Sequence, residues 1–139
     1  MIPTATPKLY FENPAGRLLE HPDGFAIFQY HPGPRQFHHL QALLTHTLNL
    51  LQRNGWHRML GDQRQMAPHT DEETAWIVDH WLDPSRQGPR GLYGAILLAP
   101  DVFALLPHDQ ATQEAKAAAL TYRLFDNEET AVTWLRQLA

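Results

Sequence analysis

Two carboxylates and one guanidinium are the residues of this chain best placed to do chemistry. Asp62 closes the short apolar run around Met59 and Leu60, and Asp101 follows the long apolar run that starts at Leu92. If both runs are parallel strands, the two acids fall just past neighbouring carboxyl ends, where α/β proteins place ligands. A carboxylate pair there can shuttle a proton or hold a cation. The plainer reading is that Asp62 bonds its own loop backbone and Asp101 caps a helix. Arg64 is the one fixed cation of this group. It is expected beside Asp62 or Asp101 in a small polar cleft that suits a partner's polar group better than a polyphosphate.

The other chemical inventories are thin. Nine histidines are the compositional oddity. Two of them, His38 and His39, open a predicted helix that also carries His46, while His69 and His80 flank the next helix. Neither H-x-x-x-H nor H-E-x-x-H occurs, so the pattern predicts no metal site, although three histidines brought together by folding would make one. There is no cysteine, hence no thiolate nucleophile and no disulfide framework. The single serine, Ser85, sits beside Pro84 outside any G-x-S-x-G elbow. Glycine-rich phosphate loops are absent, and no cofactor is expected.

Thr70 marks a helix start. Glu73 three residues on makes a capping box with it, and Asp71, Glu72 and Glu73 fill the first turn, where the helix dipole favours acids. Trp76, Ile77, His80 and Trp81 recur at helical spacing and predict the buried stripe. That helix must stop by Asp83-Pro84.

The elements that position these residues follow in order. Residues 1–7 read as a frayed lead-in. Lys8 to Glu12 begins a strand, closed by the turn residues of Asn13-Pro-Ala-Gly16. RLLEH and FAIFQYH flank Pro22-Asp23-Gly24 and predict a hairpin, whose second strand is apolar on both faces and therefore interior. A long helix runs from about Arg35 to Asn54, with Leu40, Leu43, Leu44, Thr47, Leu48 and Leu51 on one stripe and Gly55 as its left-handed end. Ser85 to Gly91 reads as a surface loop. LYGAILLAP is a strand buried on both faces. Pro100-Asp101 opens a short helical turn stopped at Pro107, and Asp109 caps a second helix, QATQEAKAAA. LTYRLF is the last strand. Asp126 and Glu129 form a second capping box for a terminal helix with Ala131, Trp134, Leu135 and Leu138 on its apolar stripe.

From Phe25 onward strand and helix alternate. This predicts one α/β domain over residues 1–139, with a mostly parallel mixed sheet of about four to six strands and helices packed on it. Apolar residues make up 43% of the chain and no apolar run approaches a membrane span of ~20 residues. The net charge of −4, without a basic cluster, argues against nucleic acid as a partner. The N-terminus has no apolar signal core and cysteine is missing, so a cytoplasmic location is expected.

In this order, certain motifs resemble those of bacterial STAS-like proteins. They are Asp62-Gln-Arg64-Gln-Met66, His69-Thr70-Asp-Glu-Glu-Thr-Ala-Trp76, Pro100-Asp-Val-Phe103, and Tyr122-Arg-Leu-Phe-Asp followed by Ala131-x-x-Trp134-Leu. That fold is named for the anti-sigma-factor antagonists and is related in architecture to lipid-transfer CRAL-TRIO domains. The resemblance spans about residues 8–138 and is to a subgroup whose function is largely uncharacterised, so it implies a fold more than an activity. In the antagonists, a Ser or Thr at the start of the helix after the central strand is phosphorylated, which breaks a complex with a kinase partner. Thr70 holds the matching position. The surrounding pattern departs from the antagonists' D-S-x-G-like run, and a phosphate there would meet three carboxylates, so capping alone accounts for the residue.

The expected function is a non-enzymatic cytoplasmic binding or regulatory module, with a protein partner contacting the region of Asp62, Arg64, Met66, Thr70, Asp101 and Phe103. The alternative is a carrier of a small apolar or lipid-like ligand between helices and sheet. A hydrolase or metal enzyme using Asp62, Asp101 and a histidine is a third reading.

Overall fold

The computed structural model describes residues 6–84 and 91–138. Most of the expected lead-in and nearly all of the Ser85 to Gly91 loop therefore lie outside the described residues.

Among the described residues, the strands are β1 (Lys8–Asn13), β2 (Gly16–His21), β3 (Phe25–Tyr30), β4 (Arg58–Asp62), β5 (Leu92–Leu97), β6 (Ala115–Ala117) and β7 (Leu120–Phe125). They form one seven-stranded sheet in the order β1-β2-β3-β4-β5-β7-β6. β1 to β3 make an antiparallel meander, β3, β4, β5 and β7 are parallel, and β6 returns antiparallel on β7. The helices are α1 (Phe37–Asn54), α2 (Asp71–Trp76) continued by a π-helical turn (Ile77–Trp81), α3 (Pro100–Ala104), α4 (His108–Thr112) and α5 (Glu128–Gln137).

This topology decides which face each helix covers. Every parallel step moves in the same direction along the sheet, so right-handed crossovers must all lie on one face. The core there joins α1 residues Leu40, Leu43, Leu44 and Leu51 to Ala26, Phe28, Met59 and Trp81. The other face is packed by α5, the one helix that follows the last parallel strand, through Ala131, Trp134 and Leu135 against Phe25, Leu60, Ala95 and Leu97. Fully burying such side chains stabilises the fold by roughly 1.5–3 kcal/mol each.

The sheet has one strand more than the expected four to six, because Ala115–Ala117, expected within a helix, pairs with Leu120–Tyr122. Edge pairing on β7 outweighs the helix propensity of a short Ala-Lys-Ala run. Ala118 turns the chain back at φ 52°, a left-handed conformation uncommon for alanine.

Three helix starts also differ from expectation. Asn127, not Asp126, caps α5: its side chain accepts from Thr130 N–H at 3.1 Å. Pro107 precedes α4, placing Asp109 in the first turn rather than at the cap. Ala99 precedes α3, so Asp101 is likewise a first-turn residue without a capping bond. By contrast, Gly55 ends α1 in the left-handed conformation at φ 66°, as its sequence position requires.

Candidate functional site

The loop between β4 and α2 crosses the carboxyl edge of the sheet and divides the expected site residues between its two faces. Side chains alternate along β4: Met59 enters the α1-side core, while Leu60, and with it Asp62, points to the α5 side. Four residues past Asp62, Met66 packs back against the α1-side core. Thr70 follows on that side, since its helix continues into Trp76 and Ile77, which pack there too.

On the α5 side lies the polar cleft. Asp62 is only 5% exposed. Its Oδ1 accepts from the backbone N–H of Arg64 at 3.1 Å and from Arg64 Nε at 3.0 Å. Its Oδ2 accepts from Arg64 Nη2 at 2.8 Å and from Gln29 Nε2 at 3.0 Å. Gln29 and Asp62 are side by side in the β3–β4 register. Gln29 Oε1 in turn accepts from Arg17 Nε at 2.6 Å, so the network runs Arg17–Gln29–Asp62–Arg64. Burial pushes the Asp62 pKa up, but the hydrogen bonds from Arg64 and Gln29 outweigh it and hold the carboxyl below its ordinary value. The same bonds raise Arg64. Together with Gln65 and Tyr30, Gln29, Asp62 and Arg64 line a recess of about 220 Å³.

On the α1 side, the capping box forms as its spacing predicts. Glu73 N–H donates to Thr70 Oγ1 at 3.1 Å, and Thr70 N–H donates to Glu73 Oε1 at 2.8 Å. Glu73 has a second role that spacing does not show. Arg35, from the segment before α1, donates through Nε and Nη2 to its two carboxylate oxygens, both at 2.8 Å. Arg35 Nη1 also donates to the Ala67 carbonyl, and the guanidinium lies 5.3 Å from the centre of the Tyr30 ring. Burial raises the Glu73 pKa, yet the Arg35 and Thr70 bonds keep it below its ordinary value. Tyr30 shares a 3.1 Å hydrogen bond with His69 Nε2. Burial raises the Tyr30 pKa and lowers that of His69, so each group is favoured in its uncharged form.

The predicted stripe of the Thr70 helix is altered by the π-helical turn. Trp81 is buried and donates from Nε1 to the Leu44 carbonyl at 2.6 Å, Trp76 and Ile77 are half-buried, and His80 is exposed. One extra residue per turn rotates His80 away from the core. Beneath this turn is an apolar recess of about 90 Å³, lined by Phe28, Leu44, Met59, Ile77 and Trp81, with Tyr30 and His69 also at its wall.

Asp101 is exposed on α3 and Phe103 is half-buried there. Thus Asp62 and Arg64 meet, Thr70 and Met66 lie on the opposite face, and Asp101 does not pair with Asp62. Sequence reasoning missed Gln29 and Arg35. Gln29 had a usable signal, being the polar residue in an otherwise apolar interior strand. Arg35 had none, because its partner is 38 residues away. Among the described residues, no group of three or more His, Asp or Glu could hold a metal ion. No helix among them is long and apolar enough to cross a membrane. No protein-family model, curated protein or solved structure matches this chain.

Proposed function

We propose that this chain is a non-enzymatic, cytoplasmic binding module that engages a protein partner through the outer side of α2, its π-helical turn and α3. The observation that carries this reading is a set of large apolar side chains left in solvent on these elements. Val78 and Val102 are each 48% exposed and Leu105, just after α3, is 86% exposed. Asp71, Glu72, Asp79 and Asp101 are exposed on the same elements. Apolar anchors accompanied by acids suit a partner that offers apolar residues flanked by Lys or Arg. The STAS-like reading belongs to the same proposal. It is supported by the sequential parallel order β3-α1-β4-α2-β5-α3-β7-α5, with the Thr70 helix directly after the second parallel strand.

The carrier reading is second. It is favoured by the apolar recess under the π-helical turn, but about 90 Å³ is well short of the ~300 Å³ of an ordinary ligand pocket. The metal-enzyme reading needs Asp62 and Asp101 together, and Asp62 already gives both oxygens to Arg64 and Gln29.

The test compares partners captured from native-host lysate by the wild type and by a Val78→Glu, Leu105→Glu double variant, with identification by mass spectrometry. The reading expects a partner that the variant loses while its urea midpoint stays close to wild type. Capture of the same set by both proteins would refute it.

A further inference from the structure

The cleft on the α5 side is separate from that docking face, and its chemistry is different. Asp62 cannot be the group that meets a ligand, because its two oxygens already accept four hydrogen bonds. What it does is fix Arg64. The Asp62 contacts take the Nε–H and one N–H of Nη2, which is one edge of the guanidinium. The remaining edge, formed by Nη1 and the second N–H of Nη2, has the fork geometry that a second carboxylate fits. The Arg64 side chain is 39% exposed, so this edge is reachable.

Surface arginines ordinarily move freely and give up much of that freedom on binding. Here a buried acid holds the side chain in place beforehand, at the carboxyl ends of β3 and β4.

We propose that this cleft is a binding subsite for a small organic monocarboxylate, held end-on by Arg64 with Gln65 at its side and Asp62 and Gln29 as positioning residues. Charge limits the ligand class. Two guanidiniums, Arg17 and Arg64, stand against two carboxylates, Asp62 and Glu128, the latter within electrostatic reach of Arg64. The local field is therefore close to balanced, and recognition rests on hydrogen-bond geometry rather than on attraction for a polyanion. Size limits it too. A recess of about 220 Å³ holds roughly seven groups of water size, at about 30 Å³ each.

The experiment is a ¹H–¹⁵N NMR titration of the full chain with butyrate, alongside butyramide, chloride and inorganic phosphate at matched ionic strength. Butyrate should give saturable shifts at the Arg64 Nε–H and at the backbone amides of Arg64 and Gln65, with the three controls weaker by about tenfold or more. Arg64→Lys keeps the charge but not the fork and should lose about tenfold in affinity or more, with the rest of the spectrum unchanged. A chain-terminal carboxylate offers the same chemistry. An acetylated tripeptide with a free end, compared with its amidated form, decides whether a free metabolite or a peptide terminus binds more tightly. Shifts that fail to saturate below about 0.1 M, equal response to butyramide or chloride, or an Arg64→Lys variant that binds as well as wild type would each overturn the proposal.

Discussion

Arg35 and Glu73 form a two-pronged ion pair across 38 residues of sequence, with both side chains only 4% exposed. The pair joins the entry to α1 with the start of α2, which Phe37 and Trp76 also bring together edge to face. Removing one member of such a pair leaves a buried charge without its counterpart, which typically costs about 3–5 kcal/mol. Arg35→Ala should therefore lower stability by about that much in urea denaturation. A paired replacement, Arg35→Met with Glu73→Met, should cost less than the sum of the two single changes. Strict additivity would mean that the two residues do not act on each other.

Thr70→Ala tests the cap itself. The hydroxyl accepts from the Glu73 N–H, so its loss should cost about 0.5–2 kcal/mol. Glu73 would still be held by Arg35, which predicts a loss well below that of Arg35→Ala. An unchanged denaturation midpoint would show that the hydroxyl is not carrying the helix start.

Local signals in the sequence were informative where a structure depends on neighbours in the chain. The Thr70–Glu73 box, the leucine stripe of α1 and the Gly55 terminus are all set by spacings of a few residues, and each is found at its predicted place. The interior character of β3 was legible from apolar residues on both of its faces. What could not be read depends on distant partners. Ala115–Ala117 is a strand only because β7 lies beside it. Arg58, at the head of β4, is buried because it donates to the Leu135 carbonyl, 77 residues on. The candidate site divided for a related reason. Asp62, Arg64 and Thr70 are close in sequence, but strand alternation and a crossing of the sheet edge put Thr70 on the other face. The Asp62–Arg64 pairing itself was legible, since only Gln63 separates them across a turn.

Gly61 offers a test of packing at the base of the same strand. A Cβ placed there would lie 2.6 Å from Phe28 Cζ and 3.2 Å from Ile96 Cδ1. Phe28 is itself buried in the α1-side core and cannot swing aside freely. Gly61→Ala should therefore destabilise by about 1–3 kcal/mol through overpacking, despite alanine's better backbone entropy. A neutral or stabilising result in thermal or urea unfolding would show that the Phe28 ring can give way.

Acid should destabilise the fold in two stages, and the first stage reports on His69. Burial lowers the pKa of His69 in the folded protein, with the Arg35 charge adding to it and Glu73 opposing it. His21 is lowered as well, again chiefly by burial. As pH falls through the ordinary histidine value of about 6.5, the unfolded chain takes up protons that the folded chain resists. The unfolded state then binds more protons, so stability falls with falling pH. Asp62 and Glu73, whose folded pKa values are depressed, add a second loss below the ordinary carboxylate range. Urea midpoints measured from pH 8 to pH 5 should be level at first and then decline from near pH 6.5. His69→Gln can still donate to or accept from the Tyr30 hydroxyl but cannot titrate, so it should flatten that decline and leave the part due to His21. A decline of the same slope in His69→Gln would remove His69 as its source. Stability that rose as pH fell from 7 to 5.5 would contradict a His69 imidazole whose pKa burial lowers in the folded protein.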